Sequence, residues 1–318
     1  MGGMASRREW CLQVGSLLGT GLALAACERA PAPIRVSFAR RVGVASVRPV
    51  QEPDPQRSRA PLRVAVAAIL SPSRNLEAYH DLLTHIGRRL GRGVQLFQRG
   101  TYAEVNDLLK YRQIDLAFVC GGAFIAGERE FGMQALAVPQ VRGKTEYYSY
   151  LIVNRKSRYW RLEDLRGESF AFSDPLSNSG RLAIVYTLAR RGEAPERFFR
   201  RTMFTYSHDN SILAVADGLV AGAAIDSLVY DYLRARDPEA VSRTRVVARW
   251  GPYGMPPVVV HPDLDPALHS ALKGLLLSMH AEPDGKTVLE RLLIDRFVDA
   301  DPGLFQSIRQ MEARVRGR

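Results

Sequence analysis

Ser177, Asn178 and Ser179 place three hydrogen-bonding side chains in succession within Asp174-Pro175-Leu176-Ser177-Asn178-Ser179-Gly180-Arg181, where a strand-like run gives way to a helix-like one. One small polar residue is enough to cap a helix. If Ser177 is the cap, a reciprocal capping box wants Glu or Gln at the position that Gly180 holds. Asn178 and Ser179 are then surplus to capping, and Gly180 allows another group close to the backbone. A helix start also presents unpaired N–H groups and a partial positive charge, which together attract anions. Two readings therefore stand for this segment, a plain cap and an oxyanion cradle.

Other loops have the same character. Ser71-Pro72-Ser73, Cys120-Gly121-Gly122 and Ser207-His208-Asp209-Asn210-Ser211 each follow a strand-like run and precede a helix-like one. Taken singly, each is explained by capping. Cys120 reads either as a small buried hydrophobe or as a soft ligand for a thiophilic solute. Ser179, His208 and Asp226 could be drawn as a catalytic triad, but the serine lacks the G-x-S-x-G turn of a nucleophile elbow. No His/Cys/Asp cluster has metal spacing and no glycine loop matches a nucleotide fingerprint. Reversible binding without chemistry, metal or cofactor is the expectation.

The elements that must position these loops alternate. Leu62–Ala67, Val94–Phe97 and Ile114–Val119 read as strands, with helical spacing over Asn75–Leu90 and Tyr102–Tyr111 between them. The rhythm restarts with strands at Ser169–Phe172, Thr202–Tyr206, Ala221–Ile225 and Arg245–Trp250, and helices at Arg181–Arg191, Ile212–Asp217 and Tyr230–Arg236. After Pro257–Val260 the chain reads as mostly helical. This order predicts an α/β fold of two Rossmann-like lobes with parallel sheets covered on both faces. The expected division is 62–148 plus 256–318 for the first lobe and 149–255 for the second. Joins around 147–154 and 250–258 form the hinge of a cleft, and ligands bind beyond the carboxyl ends of such strands.

The chain of 318 residues begins outside this pattern. Arg7 and Arg8, the diluted apolar stretch Cys11–Ala26 and the tetrapeptide Leu24-Ala25-Ala26-Cys27 read as a lipoprotein export signal over 1–27, lipidated at Cys27. Ser6-Arg7-Arg8 also fits twin-arginine export, so either this or the general secretory route leads out of the cytoplasm. Residues 28–61 hold six prolines and seven arginines without an apolar pattern and read as a disordered tether. Of the net charge of +11, the tether holds +4 and the signal +1, and the remaining +6 on residues 62–318 fits a solvated surface or attraction to anionic lipid. No basic run with interleaved aromatics points to nucleic acid. With Cys11 and Cys27 accounted for, Cys120 has no partner for a disulfide.

Several motifs in order resemble the phosphate/phosphite/phosphonate-binding family, the periplasmic substrate-binding proteins of ABC importers with a type II-like fold. They are Tyr102-Ala103-Glu104-Val105, Ile114–Phe118, Tyr147–Val153, Leu162–Gly167, Asp174–Gly180, Ser207-His208-Asp209 and Ala214–Gly218. The resemblance runs from about residue 62 to about 300. It implies that Ser177, Asn178 and Ser179 bind the oxyanion, that His208 donates from the same lobe, and that Tyr102 and Tyr147 close over it from the other. Ser71 joins the set from its loop. Asn178 departs from the threonine often found there. Positions that hold a ligand amine through acidic residues in aminophosphonate binders read Leu228 and Pro256 here, which favours a smaller oxyanion. Asp226 either accepts a proton from a protonated oxyanion or caps the helix that follows. The implied partners are a small phosphorus oxyanion and an ABC permease and ATPase, with a monomer tethered by lipid at the periplasmic face. An alternative, from relatives in arsenite sensing, is a ligand sensor that uses Cys120 and partners a histidine kinase.

Overall fold

A computed structural model describes residues 60–317. The expected signal segment, Cys27 and nearly all of the expected tether lie outside the described residues.

Buried aliphatic runs make the strands, and the helices between them turn one apolar face inward. The chain begins β1 (Leu62–Val66), α1 (Pro72–Leu90), β2 (Val94–Phe97), α2 (Tyr102–Lys110), β3 (Leu116–Phe118), α3 (Gly121–Phe131) and β4 (Gln134–Gln140). It continues with β5 (Glu146–Asn154), β6 (Ser169–Phe172), α4 (Ala183–Ala189), α5 (Pro195–Phe198), β7 (Arg201–Phe204), α6 (His208–Ala216) and β8 (Gly222–Asp226). The remainder is α7 (Ser227–Arg236), α8 (Pro238–Ser242), β9 (Thr244–Gly254), β10 (Val258–Val260), α9 (Pro266–Ser278), α10 (Pro283–Arg291), β11 (Arg296–Val298) and α11 (Gln306–Arg316).

Two sheets result. One has the order β11-β4-β10-β3-β1-β2 and the other β7-β6-β8-β5-β9. Each carries apolar cores on both faces, as expected of sheets built by helical crossovers. The C-terminal α11 packs on α3 of the first lobe and α4 of the second.

The sheets are mixed rather than parallel throughout. β1, β2 and β3 run parallel, as do β6, β7 and β8. β10 is antiparallel to β3 and β4, and β5 is antiparallel to β8 and β9. The reason is topological. β5 and β10 arrive from the other lobe, so they enter their sheets at the carboxyl edge of the parallel strands and must run against them. Residues 147–154 and 250–254, expected as joins, are therefore paired strand, with Tyr147 opposite Tyr253 and Ser149 opposite Trp250. The chain crosses between sheets at 141–145 and 255–257, where Met255 N–H donates to Thr145 O at 3.0 Å. The short strand β11 was not legible in the apolar pattern, because only Phe297 of its three residues is fully buried.

Candidate binding site

Ser177 caps as its position suggests, its Oγ accepting Gly180 N–H at 2.9 Å. The turn after it is wider than an α-turn: Leu182 N–H donates to Ser177 O at 2.9 Å, and residues Asn178–Leu182 form a π-type turn ahead of α4. Such turns recur at functional sites because they re-aim side chains. Gly180 does leave room for a close approach, but the group that uses it is Ser173. A Cβ on Gly180 would stand 1.7 Å from Ser173 Oγ. Ser149 Oγ donates to Ser179 O at 2.6 Å and fixes the turn from below.

The whole turn is buried, with Ser177, Asn178 and Ser179 fully inaccessible. Asn178 N–H points at Cys120 Sγ across 3.4 Å, and Asn178 Nδ2 donates to the Tyr147 hydroxyl at 3.0 Å. Five polar atoms in this region have no hydrogen-bond partner: Tyr102 Oη, Ser173 Oγ, Asn178 Oδ1, Ser179 Oγ and His208 Nε2. The Tyr147 hydroxyl both accepts from Asn178 and retains a proton to give. Because that hydroxyl can donate or accept, turning the Asn178 amide would trade one bond for another and present Nδ2 instead.

His208 shows how the chain makes a neutral donor. Its Nδ1 accepts the backbone N–H of Asp226 at 3.1 Å. Burial pushes its pKa down to about 3, partly offset by the neighbouring Asp209 carboxylate. The neutral ring must then carry its proton on Nε2, the atom without a partner. Asp226 lies beside it at the end of β8. Its Oδ1 caps α7 by accepting Leu228 N–H at 2.7 Å, and burial raises its pKa to about 7. The cap and the proton acceptor anticipated for Asp226 are thus compatible, since a carboxylate has a second oxygen. Tyr102 and Tyr147 are pushed well above the usual phenol range by burial and remain protonated.

The residues expected to form the site divide as follows. Tyr102, Cys120, Tyr147, Ser177, Asn178, Ser179, His208 and Asp226 are all buried in one region at the carboxyl edges of the two sheets. Tyr147, however, lies on β5 of the second sheet, beside the turn it was expected to approach from the opposite lobe. Ser71 enters through its backbone, its N–H donating to Asp209 Oδ1 at 2.8 Å. Burial pushes the Cys120 thiol up, so it sits as a neutral thiol packed against the turn rather than as a thiolate.

Two acidic residues escaped the sequence reading. Asp174 Oδ1 accepts Leu176 N–H at 2.7 Å, and its Oδ2 accepts Tyr102 N–H at 3.1 Å from the other lobe. Asp209 receives Ser71 N–H and faces Arg74, whose guanidinium also pairs with Asp237 at 2.5 Å. Both aspartates tie lobe to lobe. Their signal was present in the quoted motifs, where each stands next to the cap residues, but nothing local distinguishes a clasp from a second capping group.

The arrangement has known relatives. Residues 64–304 match the family described as ABC transporter, phosphonate, periplasmic substrate-binding protein, and the chain belongs to it. The phosphate-import protein PhnD of Mycolicibacterium smegmatis is 30% identical over 182 residues, which is 53% of this chain and 57% of that protein. The chain therefore spans little more than half the length of that curated relative. Among solved structures, a binding protein component of an ABC phosphonate transporter from Pseudomonas aeruginosa aligns with a TM-score of 0.76 at 23% identity, covering 81% of this chain and 87% of that one. PhnD1 of Prochlorococcus marinus, solved with methylphosphonate, aligns at 0.72 and 19% identity over 81% of this chain and 98% of that one. At these identities the structural likeness speaks for the two-lobed α/β fold.

Proposed function

We propose that this member of the family is the substrate-binding component of an ABC importer and closes on a phosphorus oxyanion, whether phosphate, phosphite or phosphonate, between its two lobes. The observation that carries the reading is the set of buried, unpartnered donors: Tyr102 Oη, Ser179 Oγ and His208 Nε2, each carried by the first turn of a different helical segment. Leaving one buried donor unsatisfied costs about 1–3 kcal/mol. A chain that keeps several in one place supports a ligand whose oxygens complete them.

The donors are neutral, so a bound anion meets hydrogen bonds and a helix start rather than a salt bridge. Asp226 adds selectivity. Its free oxygen accepts from a P–OH group, which a phosphorus oxyanion monoanion carries and sulfate does not. Binding is reversible, and the absent nucleophile elbow argues against chemistry at Ser179. In this reading the protein acts as a monomer on the periplasmic face of a bacterial membrane, held by lipid at Cys27, and delivers its ligand to a permease and ATPase. The lobes we propose follow the expected division, 62–148 plus 256–318 and 149–255, except that β5 begins at Glu146 in the second sheet and moves the first boundary back to 141–145.

Calorimetry of the purified protein against phosphate, phosphite, methylphosphonate and sulfate tests this. Heat from at least one phosphorus anion, lost in Ser179→Ala, is expected. Silence to all of them would sink the reading.

A further inference from the structure

The end of the second lobe away from the cradle carries a surface that anion binding leaves unexplained. β5 runs against β8, so its last residue, Asn154, lies at the amino edge of the parallel strands, whereas the cradle sits at their carboxyl edge. The loop that follows is Arg155-Lys156-Ser157-Arg158-Tyr159-Trp160-Arg161, a basic run with interleaved aromatics that escaped the sequence reading. Asn154 Nδ2 donates to Ala216 O at 2.9 Å, at the end of α6, and Arg155 N–H donates to Arg243 O at 2.8 Å, ahead of β9. Arg200 N–H donates to Glu168 O at 3.0 Å, and Arg166 pairs with Glu193 at 2.6 Å. These bonds join residues 155–168, 190–201, 217–219 and 243–245 into one surface.

Charge concentrates there. The four segments hold twelve lysines and arginines against six aspartates and glutamates, and this net +6 equals the surplus of residues 62–318 as a whole. The rest of the fold is balanced. Five of the six carboxylates are already paired with arginines of the same surface. Arg155, Lys156, Arg190, Arg197, Arg200 and Arg201 are exposed and make no ion pair among the described residues.

Apolar exposure concentrates there too. Leu219 at 72% and Trp160 at 69% are the two most exposed large hydrophobic side chains among the described residues, and both stand on this surface. Trp160 is held in place. The Arg245 guanidinium lies 3.6 Å from its ring centroid, and Arg245 Nη2 donates to Ser157 O at 2.9 Å and to Tyr159 O at 2.7 Å. Trp160 N–H donates to Asp164 Oδ2 at 2.8 Å. The stack with Arg245 fixes the ring without burying it. One exposed apolar side chain needs no explanation, but two such side chains rimmed by unpaired cations mark a contact site.

We propose that this edge docks on an anionic phospholipid bilayer, with Trp160 and Leu219 entering the headgroup region and the six unpaired cations lying against lipid phosphates. Tryptophan favours the membrane interface, where attachment combines buried apolar area with attraction to anionic lipid. Positive charge alone suits nucleic acid equally well, but an exposed leucine beside the tryptophan suits the acyl boundary. Contact at the amino edge leaves the cradle, at the carboxyl edge, uncovered. The proposal is independent of which anion the cradle takes.

The test uses the full-length chain with Trp10→Phe and Cys27→Ser, in which Trp160 and Trp250 are the remaining tryptophans and no acyl group can be attached. Vesicles of phosphatidylglycerol mixed with brominated phosphatidylcholine should quench its fluorescence, and brominated phosphatidylcholine alone should not. Trp160→Ser should abolish the quenching. Arg200→Glu together with Arg201→Glu should lower partitioning by about tenfold or more, and raised salt should act in the same direction. Leu219→Ser should lower it by about fivefold. Unchanged melting temperatures verify that these variants fold. Absence of quenching by the phosphatidylglycerol vesicles, or equal quenching without phosphatidylglycerol, would overturn the proposal. So would partitioning that is indifferent to the arginine reversals, or binding to single-stranded DNA in place of the vesicles.

Discussion

His208 Nδ1 accepts the backbone N–H of Asp226 at 3.1 Å, and this single bond sets the tautomer of the neutral imidazole. It fixes the imidazole proton on Nε2, which is buried without a partner. It also ties the start of α6 to the end of β8, so the donor and the carboxylate move as one piece. The motif Ser207-His208-Asp209 thus joins a cap, an unpartnered buried ring nitrogen and an interlobe clasp in three consecutive residues.

Removing that donor should weaken binding without altering the fold. A hydrogen bond to a charged group contributes about 1.5–3 kcal/mol, so His208→Ala should lower affinity for the bound anion by roughly ten- to a hundredfold. With a pKa near 3 the ring stays neutral in the free protein. Nitrogen-15 NMR of the imidazole should therefore show the Nε2–H tautomer unchanged from pH 8 to pH 5. An imidazolium signal at pH 5.5 would contradict the assignment.

Asp226 carries a cost of burial. Its carboxyl titrates near 7 in the folded chain and at 3.8 when unperturbed, so the folded state binds the proton more tightly. The penalty is absent below the unfolded pKa, grows as pH rises through the interval, and is complete above the folded pKa. Asp226→Asn, which can still cap α7, should stabilise the unliganded protein at pH 8 by up to about 4 kcal/mol, at ~1.4 kcal/mol per pKa unit. The gain should shrink steadily below pH 6. Thermal unfolding across pH measures it, and calorimetry should show that the variant discriminates less against sulfate.

Much of this was legible because capping has a grammar. A helix start needs one acceptor, so the excess at Ser177, Asn178 and Ser179 marks the turn in the sequence itself, and the apolar runs place most strands to within two residues. Besides β11, other features were not legible, each for a physical reason. The antiparallel return strands β5 and β10 depend on where the chain re-enters a sheet, which no local pattern records. The contacts made by Asp174 and Asp209 span 72 and 138 residues of sequence. Ser149 supports the turn from β5, a segment read from sequence as a join, and Ser173 does so from the bend that follows β6.

Cys120 should prove dispensable for binding. Its sulfur accepts one amide bond from Asn178 and otherwise packs as a buried neutral thiol. Cys120→Ser keeps an acceptor of similar size there, so affinity for the phosphorus anion should change by no more than about threefold. Arsenite should give no heat with the wild-type protein. Arsenite binding that vanishes in Cys120→Ser would instead favour the sensing alternative.

Gly122 offers a way to separate closure from folding. It stands at the start of α3 in the first lobe, and a Cβ there would lie 2.2 Å from Leu176 O and 3.0 Å from Asn178 N of the second. Both contacts are backbone and cannot swing aside. The strain in Gly122→Ala falls between the lobes, so a small opening relieves it and leaves each sheet intact. Gly222→Ala is the contrasting case: its Cβ would meet Leu165 Cδ1 at 2.7 Å inside the second lobe, where opening gives no relief. Gly122→Ala should therefore lose affinity by about tenfold or more, since each ~1.4 kcal/mol against the closed state costs a factor of ten. Its unliganded melting temperature should hold, while that of Gly222→Ala falls. Small-angle scattering at saturating ligand should show Gly122→Ala with a larger radius of gyration than the wild type. Equal compaction with undiminished affinity would mean that the contact between Gly122 and Leu176 is not part of the ligand-bound state.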